Sequence, residues 1–472
     1  MSICRQGQSA SRVIVAGLAV WVASAAIGLP AAQGQEQPGR KPNILFIFTD
    51  DQRADTIAAL GNPAIQTPAL DSLARRGFVF SNAYCFGSNC PAVCLPSRNM
   101  LLSGRTYFRW EGPQASADQP NLPVTLRQAG YVTYHHGKKG NTALKIQEKF
   151  DVNKYVADDA DRRSEPALAI VNEAIDFLRN RKDDRPFLMY LALGNPHDPR
   201  VAPQSYLDLY EGNRIPLPKN FLPVHPFNNG EMVIRDELLA GWPRTEGEIR
   251  RHVHEYYAVI TAMDHQIGRL LGVLGDLGLE KDTIVIFSSD NGLAVGSHGL
   301  MGKQSLYEHS TKVPLLFAGP GIPQGRSDAL AYLLDVFPTI CQLAGVDVPA
   351  GLDGLGLKPV IEGRQEKVRN HAVFAYRDLQ RAIRGSRFKL IRYPKIGKTQ
   401  LFDLRSDPDE LRDLSDDARY QERQERLMRR LAEELRRLGD EAPLTVEPPE
   451  DPTFTPPTGE ALEKLLAPFK AN

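Results

Sequence analysis

Runs of apolar and polar residues divide most of the chain into strands and helices. "PNILFIFTDD" (42–51) is an apolar run of strand length ending in two carboxylates, the pattern of a buried strand whose C-terminal end carries polar groups. "TPALDSLARRG" (67–77) has helical spacing, with Thr67 as N-cap candidate and Gly77 as the stop. "EPALAIVNEAIDFLRNR" (165–181) predicts a periodic helix, and "RPFLMYLAL" (185–193) predicts a strand delivering "GNPHDP". "YYAVITAMDHQIGRLLGVLGDLG" (256–278) predicts a second amphipathic helix, followed by the strand "DTIVIFSSDNG" (282–292). Strands alternating with helices imply an α/β fold, a large and mostly parallel sheet sandwiched by helices.

Beyond "LDGLGLKPVIEG" (352–363) the pattern changes. "HAVFAYRDLQRAIRGSRFKLIRYP" (371–394) contains short strand-like runs, and "YQERQERLMRRLAEELRRLG" (420–439) is a charged helix. Glu and Arg interleave there at helical spacings, which describes a salt-bridged solvent face rather than a nucleic-acid arm. The proline-rich "PPEDPTFTPPTGE" (448–460) reads as extended surface chain. The expected organisation is a leader over 1–34, a catalytic α/β region over 35–365, and a smaller C-terminal part with its tail over 366–472.

Composition narrows the partners. The 57 basic and 57 acidic residues cancel, so no global field draws the chain to nucleic acid, and any anion recognition must be local. Arg5 and Arg12 precede the apolar stretch Val13 to Pro30 and the small residues Ala31, Ala32 and Gly34, the pattern of a secretory signal peptide cleaved after Gly34. A membrane anchor is the competing reading of that stretch. No later segment is apolar enough to span a bilayer, so the expected product is secreted or periplasmic, with no membrane contact after cleavage. Cys4 leaves with the leader, and Cys85, Cys90, Cys94 and Cys341 are too few for a disulfide scaffold. Cys90 and Cys94 lack a second pair at zinc-finger spacing.

In open α/β sheets, ligands bind beyond the carboxyl ends of the strands. Asp50 and Asp51, His197, and Asp290 and Asn291 fall at three predicted strand ends and are expected to converge. For any one of them an exposed loop carboxylate or cap is the plain alternative, but two strands each end in paired oxygen donors. Asp50, Asp51, Asp290 and Asn291 offer only oxygen, which suits calcium better than zinc. An amide in place of a fourth carboxylate keeps the site from becoming too negative for an anionic substrate.

"CLPSRNMLLSG" (94–104) fits C-x-P-S-R and resembles the signature of the sulfatase family, with Ser103 where threonine is usual. The resemblance extends through "NILFIFTDDQR", "TPALDSLARRGFVFSNAY", "SSDNGLAVGSHGLMGKQSLYEHSTKVPLL" and "FDLRSDPDELRDL", in the family's order and over nearly the whole mature chain. It implies a formylglycine-dependent sulfuric ester hydrolase of the alkaline phosphatase superfamily, with a small C-terminal antiparallel sheet and packed helix completing one pocket wall.

In that family Cys94 would be oxidised to formylglycine by a formylglycine-generating enzyme, with Pro96 and Ser97 in the recognition signal. One hydroxyl of the hydrated aldehyde would bind the metal and attack sulfur, and the other would let the sulfated intermediate collapse and expel sulfate. Residue 94 thus counts among the metal ligands. Arg98 matches the arginine that orients the formylglycine and metal ligands, and a helix starting near Cys94 would put both on one face. Lys138 in "HHGKKGN" and Lys303 in "GLMGKQSLYE" match the two active-site lysines that neutralise sulfate oxygens. His197 matches the histidine near the leaving oxygen and can protonate the departing alcohol.

His298 in "VGSHG" has either a substrate-binding or a loop-stabilising role. The family's G-K-x-H histidine would fall on Gly140, which has no acid–base group. His135 or His136, just upstream, is a candidate replacement, His136 the one assigned to substrate binding; Asn141 is the alternative.

Phosphodiesterases and phosphonate monoester hydrolases can use the same arrangement, and a non-catalytic glycan-binding relative is a reading of another class. The expected substrate is a sulfated small molecule or glycan, most simply a sulfated carbohydrate. "RWEGPQASADQPN" (109–121) and "EGNRIPLPKNFLPVHPFNNGEMVIRDELLAGWP" (211–243) are the loops expected to read it, with Trp110 and Trp242 as stacking or packing residues.

Overall fold

The structure, a computed structural model, describes residues 41–156 and 165–470. The leader expected over 1–34 lies outside these residues. Among them no helix is long and apolar enough to cross a membrane. These described residues form one compact unit.

The large sheet contains β1 (Asn43–Thr49), β2 (Phe78–Tyr84), β4 (Val132–Lys138), β5 (Val152–Val156), β6 (Phe187–Ala192), β7 (Thr283–Ser289), β8 (Lys312–Val313), β9 (Leu315–Ala318) and β10 (Gly325–Tyr332). Its order is β10-β2-β9-β7-β1-β6-β4-β5, with β8 paired to β2. The block β7-β1-β6-β4-β5 is parallel, whereas β9 runs antiparallel to both β2 and β7. The sheet is therefore mixed and mostly parallel.

Every residue of β1 is buried, as a strand covered on both faces requires. The two-residue period sends Leu45 and Ile47 into one apolar core and Ile44, Phe46 and Phe48 into another. The first core is closed by α1 (Pro68–Arg76), α3 (Leu168–Asn180) and α4 (Glu246–Asp276); α2 (Cys94–Ser103) contributes Leu101 and Leu102 to the second. Helix α4 begins ten residues before its apolar repeat, where the Thr245 hydroxyl accepts from the Glu248 amide as N-cap. Thr67 does not cap α1 in that way: its hydroxyl accepts from the Ala58 amide and donates to Asp71.

The second sheet has the order β14-β13-β12-β11-β3, built from β3 (Gly87–Ser88), β11 (Ala372–Tyr376), β12 (Gln380–Arg384), β13 (Phe388–Tyr393) and β14 (Lys398–Asp403). It is antiparallel except at the β11–β3 edge. Helix α5 (Gln421–Leu438) packs Leu427, Leu431 and Leu435 beneath it, and its outer face carries the Arg430–Glu434 and Arg437–Glu434 pairs. Strand β3 comes from the segment just before α2, so the C-terminal sheet is sewn to the chain that carries Cys94. Gly87 makes that seam possible: a Cβ there would lie 2.0 Å from the Ala375 carbonyl oxygen.

Candidate active site

Register brings the site together. Phe48 and Thr49 pair with Ser288 and Ser289 across β1–β7, so Asp50–Asp51 and Asp290–Asn291 leave the sheet side by side. On the other side Phe48 pairs with Ala192, and the chain continues from β6 to His197. Gly137 pairs with Ala192, which sets Lys138 at the same edge. Helix α2 starts at Cys94 and points its first turn at these strand ends.

Arg98 is the centre of the charge arrangement. Its side chain is fully buried; Nε donates to Asp290 Oδ2 at 2.9 Å and one terminal nitrogen donates to Asp50 Oδ2 at 2.9 Å. The same nitrogen faces the carbonyl oxygens of Thr49 and Leu193 at 3.3 and 3.4 Å, and the guanidinium lies 5.1 Å from the Phe48 ring centroid. Lys138 pairs with Asp50. Lys303 Nζ lies 2.7 and 2.9 Å from the two Asp51 oxygens and 3.0 Å from Cys94 Sγ. Cys94 Sγ is also 3.1 Å from Asp50 Oδ1 and 3.6 Å from Asp51 Oδ1. His197 Nε2 is 3.8 Å from Asp51 Oδ2, while its Nδ1 is 2.6 Å from the Asp198 carbonyl oxygen.

Burial alone would raise the Asp50 carboxyl, but Lys138, Arg98, His197 and Lys303 together hold it well below the usual carboxylate range. Asp290 moves the other way: burial and the Asp50 charge push it up against Arg98 and Lys138. Burial, Asp290 and Asp50 raise the Cys94 thiol well above its ordinary value, outweighing Lys138 and Lys303. As an unmodified thiol, Cys94 is neutral near pH 7 and a poor nucleophile. Lys303 stays protonated, because Asp51, Asp236 and Asp50 overcome the burial that would lower it.

The donor set fits a divalent cation. Ligand atoms of Asp50, Asp51, Cys94 and Asp290 lie within 4.8 Å of one another. Asn291 Nδ2 donates to Asp51 Oδ1 at 2.7 Å and to the Gly292 carbonyl, while its buried Oδ1 has no hydrogen-bond partner among the described residues. An amide oxygen left bare beside three carboxylates is a ligand atom in waiting.

Above this group opens a cavity of about 350 Å³ lined by Pro91, Ala92, Cys94, Asn141, His197, Ile234, Arg235, Asp236, Lys303 and Gln304. Asp50, Asp51, Cys94, Arg98, Lys138, His197, Asp290, Asn291 and Lys303 are therefore gathered as expected. His136 is not. It is buried in β4 beneath Glu173 and Lys154, and burial lowers its pKa to about 4. His135 does not line the cavity either: Nδ1 is 2.7 Å from Asn153 Oδ1 and the ring packs on Phe150, Tyr155 and Tyr190. The physical reason is strand alternation, which turns both rings into the layers flanking the sheet instead of beyond its edge. Asn141 does line the cavity, in a left-handed backbone conformation (φ 47°).

His298 is also placed away from the cavity. It stacks on Tyr307 at 4.0 Å, and its Nε2 lies 3.0 Å from the Glu410 carbonyl oxygen, which makes it a clip between the 292–303 loop and the C-terminal part. Trp242 is buried against Arg244 and Phe454, and Trp110 packs on the cores, so neither presents a face to the cavity. Arg235, Asp236 and Gln304 are cavity residues that the sequence reading did not single out. The available signal was the run of three consecutive charges "RDE" (235–237) inside a proline-rich loop. Cys85, Cys90, Cys94 and Cys341 are all free thiols.

Comparison with known proteins places this geometry. The family profile described as sulfatase matches residues 42–346, and one described as the C-terminal region of N-sulphoglucosamine sulphohydrolase matches 296–437. An arylsulfatase of Clostridium perfringens is 28% identical, over 84% of this chain and 94% of its own length. An N-acetylglucosamine-6-O-sulfatase of Bacteroides thetaiotaomicron is 27% identical, over 87% and 89%. A solved structure of a protein in complex with its substrate D-glucosamine-2-N,6-O-disulfate superimposes with a TM-score of 0.75 at 25% identity, over 86% of this chain and all of the other.

Proposed function

The chain belongs to the sulfatase family and is a sulfuric ester hydrolase, and from that premise we propose that it releases inorganic sulfate from a sulfated carbohydrate. The observation that carries the reading is the placement of Cys94 at the first turn of α2, within hydrogen-bond reach of Asp50 and Lys303 at the floor of a cavity. Cys94, oxidised to formylglycine by a dedicated maturation enzyme, supplies an oxygen nucleophile where the neutral thiol would fail. Asp50, Asp51, Asp290 and Asn291 would hold calcium, which when bound adds positive charge opposite the ester and favours ionisation of an oxygen ligand.

The protein's own groups do the remainder. Arg98 spans Asp50 and Asp290 and fixes the spacing of these carboxylates. Lys303 and Lys138 bring positive charge to the place where ester oxygens gain negative charge as the S–O bond breaks. His197, with Nδ1 anchored at the Asp198 carbonyl, aims Nε2 toward the reacting group, where it can pass a proton to the departing alcohol. Asn141 lines the same cavity as Cys94 and is the group assigned to stand in for the missing histidine. Support for a sugar substrate comes from the two carbohydrate-directed relatives and from a cavity large enough for one sugar ring. The leader would export the protein out of the cytoplasm, to the compartment where sulfated glycans are met.

The test pairs a mass measurement with turnover. Protein made with the maturation enzyme is digested, and the peptide holding residue 94 is weighed for the aldehyde. The same preparation is assayed on an aryl sulfate, an aryl phosphodiester and a panel of sulfated mono- and oligosaccharides. Aldehyde at residue 94 with sulfate ester hydrolysis is expected, and Cys94→Ser in a host that matures only cysteine abolishes it. Full activity of protein with an intact thiol, or a preference for the phosphodiester, refutes the reading.

A further inference from the structure

Lys303 is buried among charges, yet it sits on a loop, and the groups that hold that loop come from elsewhere in the chain. The Glu237 carboxylate, itself buried, accepts the Met301 amide at 2.9 and 3.1 Å and the Gly302 amide at 2.8 Å. Arg244, also buried, donates to the same carboxylate at 2.6 Å. One residue earlier, Asp236 Oδ2 accepts from Gln304 Nε2 at 2.7 Å, and Gln304 Oε1 in turn accepts the Lys303 amide at 2.9 Å. Two adjacent acids therefore grip residues 301–304 on both sides of Lys303. The fit is tight: a Cβ on Gly302 would lie 2.4 Å from Gln304 Oε1 and 2.9 Å from Asp236 Cβ.

The same short segment forms the cavity rim. Ile234, Arg235 and Asp236 line the cavity, and Arg235 donates to Asp198 Oδ1 at 2.8 Å, next to His197. The loop that lines the cavity is thus the loop that sets Lys303 in place.

We propose that Asp236 and Glu237 are a positioning pair that holds Lys303 against Asp51 and residue 94 from the substrate-facing loop. What Lys303 does in turnover rests on the sulfatase reading; where it is held does not. Side-chain grip on backbone amides is well suited to this task, because a carboxylate buried with three amide contacts and an arginine has no low-energy alternative position. Arg244 has a different part, since it neutralises Glu237 without touching the Lys303 loop itself.

The experiment uses the full matured, calcium-loaded chain as wild type, Glu237→Gln, Asp236→Asn and Arg244→Lys. Trace acetic anhydride labels lysines, and peptide mass spectrometry reads the rate at Lys303 against Lys389, which is buried between Glu308 and Glu410 in the C-terminal sheet. In Glu237→Gln and Asp236→Asn, Lys303 is expected to label at least about tenfold faster with Lys389 unchanged, and kcat on an aryl sulfate to fall by about tenfold or more with KM within about threefold. Arg244→Lys keeps a cation at Glu237, so it lowers the unfolding midpoint while Lys303 labelling and kcat stay near wild type.

Equal acceleration at Lys303 and Lys389 marks general loosening and overturns the proposal. So does unchanged labelling and kcat in both acid variants. If Glu237→Gln does not fold, Asp236→Asn decides alone. Should the wild type hydrolyse no sulfate ester, the labelling ratio still settles the positioning, and it is the sulfatase chemistry that fails.

Discussion

Arg98→Met tests the electrostatic design of the site. The substitution keeps the length and apolar stem of the side chain but removes a fully buried guanidinium that bonds Asp50 and Asp290, each at 2.9 Å. Removing one partner of a buried ion pair costs about 3–5 kcal/mol, because the abandoned charge cannot return to water. Here Asp290 loses its ion-pair partner, Asp50 keeps only Lys138, and two backbone carbonyls lose a donor. These losses share one side chain and do not add, so the middle of that range is the expectation.

Whole-domain stability is about 5–15 kcal/mol, so the variant folds with a thin margin. A divalent cation restores part of the loss: at a hundredfold excess over its Kd, binding to the native state alone contributes about 2.7 kcal/mol. The assay is urea unfolding of wild type and variant, in chelator and in calcium, with a common slope relating midpoints to free energy. In chelator the variant is expected to lose about 4 kcal/mol, and calcium to recover more than half. A loss under about 1 kcal/mol in chelator would refute the account, since it would mean that Asp50 and Asp290 tolerate each other without the guanidinium between them.

Four further outcomes are expected. Chelation abolishes turnover and calcium restores it better than zinc, and Asp290→Ala weakens calcium binding measured by calorimetry as well as turnover. His197→Ala slows hydrolysis by about 10²–10⁴-fold, most for alcohols of high pKa, so the slope of log kcat/KM against leaving-group pKa steepens; an unchanged slope removes His197 as the acid. Asn141→Ala lowers kcat by about tenfold while His136→Ala leaves it within about twofold, read by initial rates on an aryl sulfate. Asp264 caps α1 by accepting the Ala69 and Leu70 amides, and burial raises its pKa to about 7. A group bound more tightly to its proton when folded stabilises fully below the unfolded value and loses that contribution as pH rises to about 7, so wild-type stability falls between about pH 4 and 7 relative to Asp264→Asn, with equal slopes counting against it.

The strands were legible because burial on both faces writes a continuous apolar run, as in Asn43–Thr49 and Phe187–Ala192. The site was legible where it sits at strand ends, because a parallel sheet collects its C-terminal residues at one edge. His136 shows the limit of that logic: it lies two residues before the strand's last residue, and alternation sends its ring into a flanking layer. Neither the antiparallel entry of β9 nor the Gly87–Ser88 seam to the C-terminal sheet has a local signature, since both are pairings between distant segments. Arg235 and Asp236 belong to a loop whose length marked it as substrate-facing, but loop sequence carries no period from which to read which side chains turn inward.

Formal charge explains why these residues need one another. Asp50, Asp51 and Asp290 oppose Arg98, Lys138 and Lys303, so the protein's own groups balance with no excess to attract an anion. A bound divalent cation would tip that balance positive, and Asn291 preserves the gain where a fourth carboxylate would halve it. Lys303 is the cation in that balance that touches both a carboxylate and residue 94. Its position therefore governs two quantities at once, the field at the nucleophile and the charge left on Asp51, and a loop held only by its own backbone would let both drift. The Asp236–Glu237 grip removes that freedom, and it does so from a segment that lines the cavity. Changes in that segment can then alter turnover as well as binding.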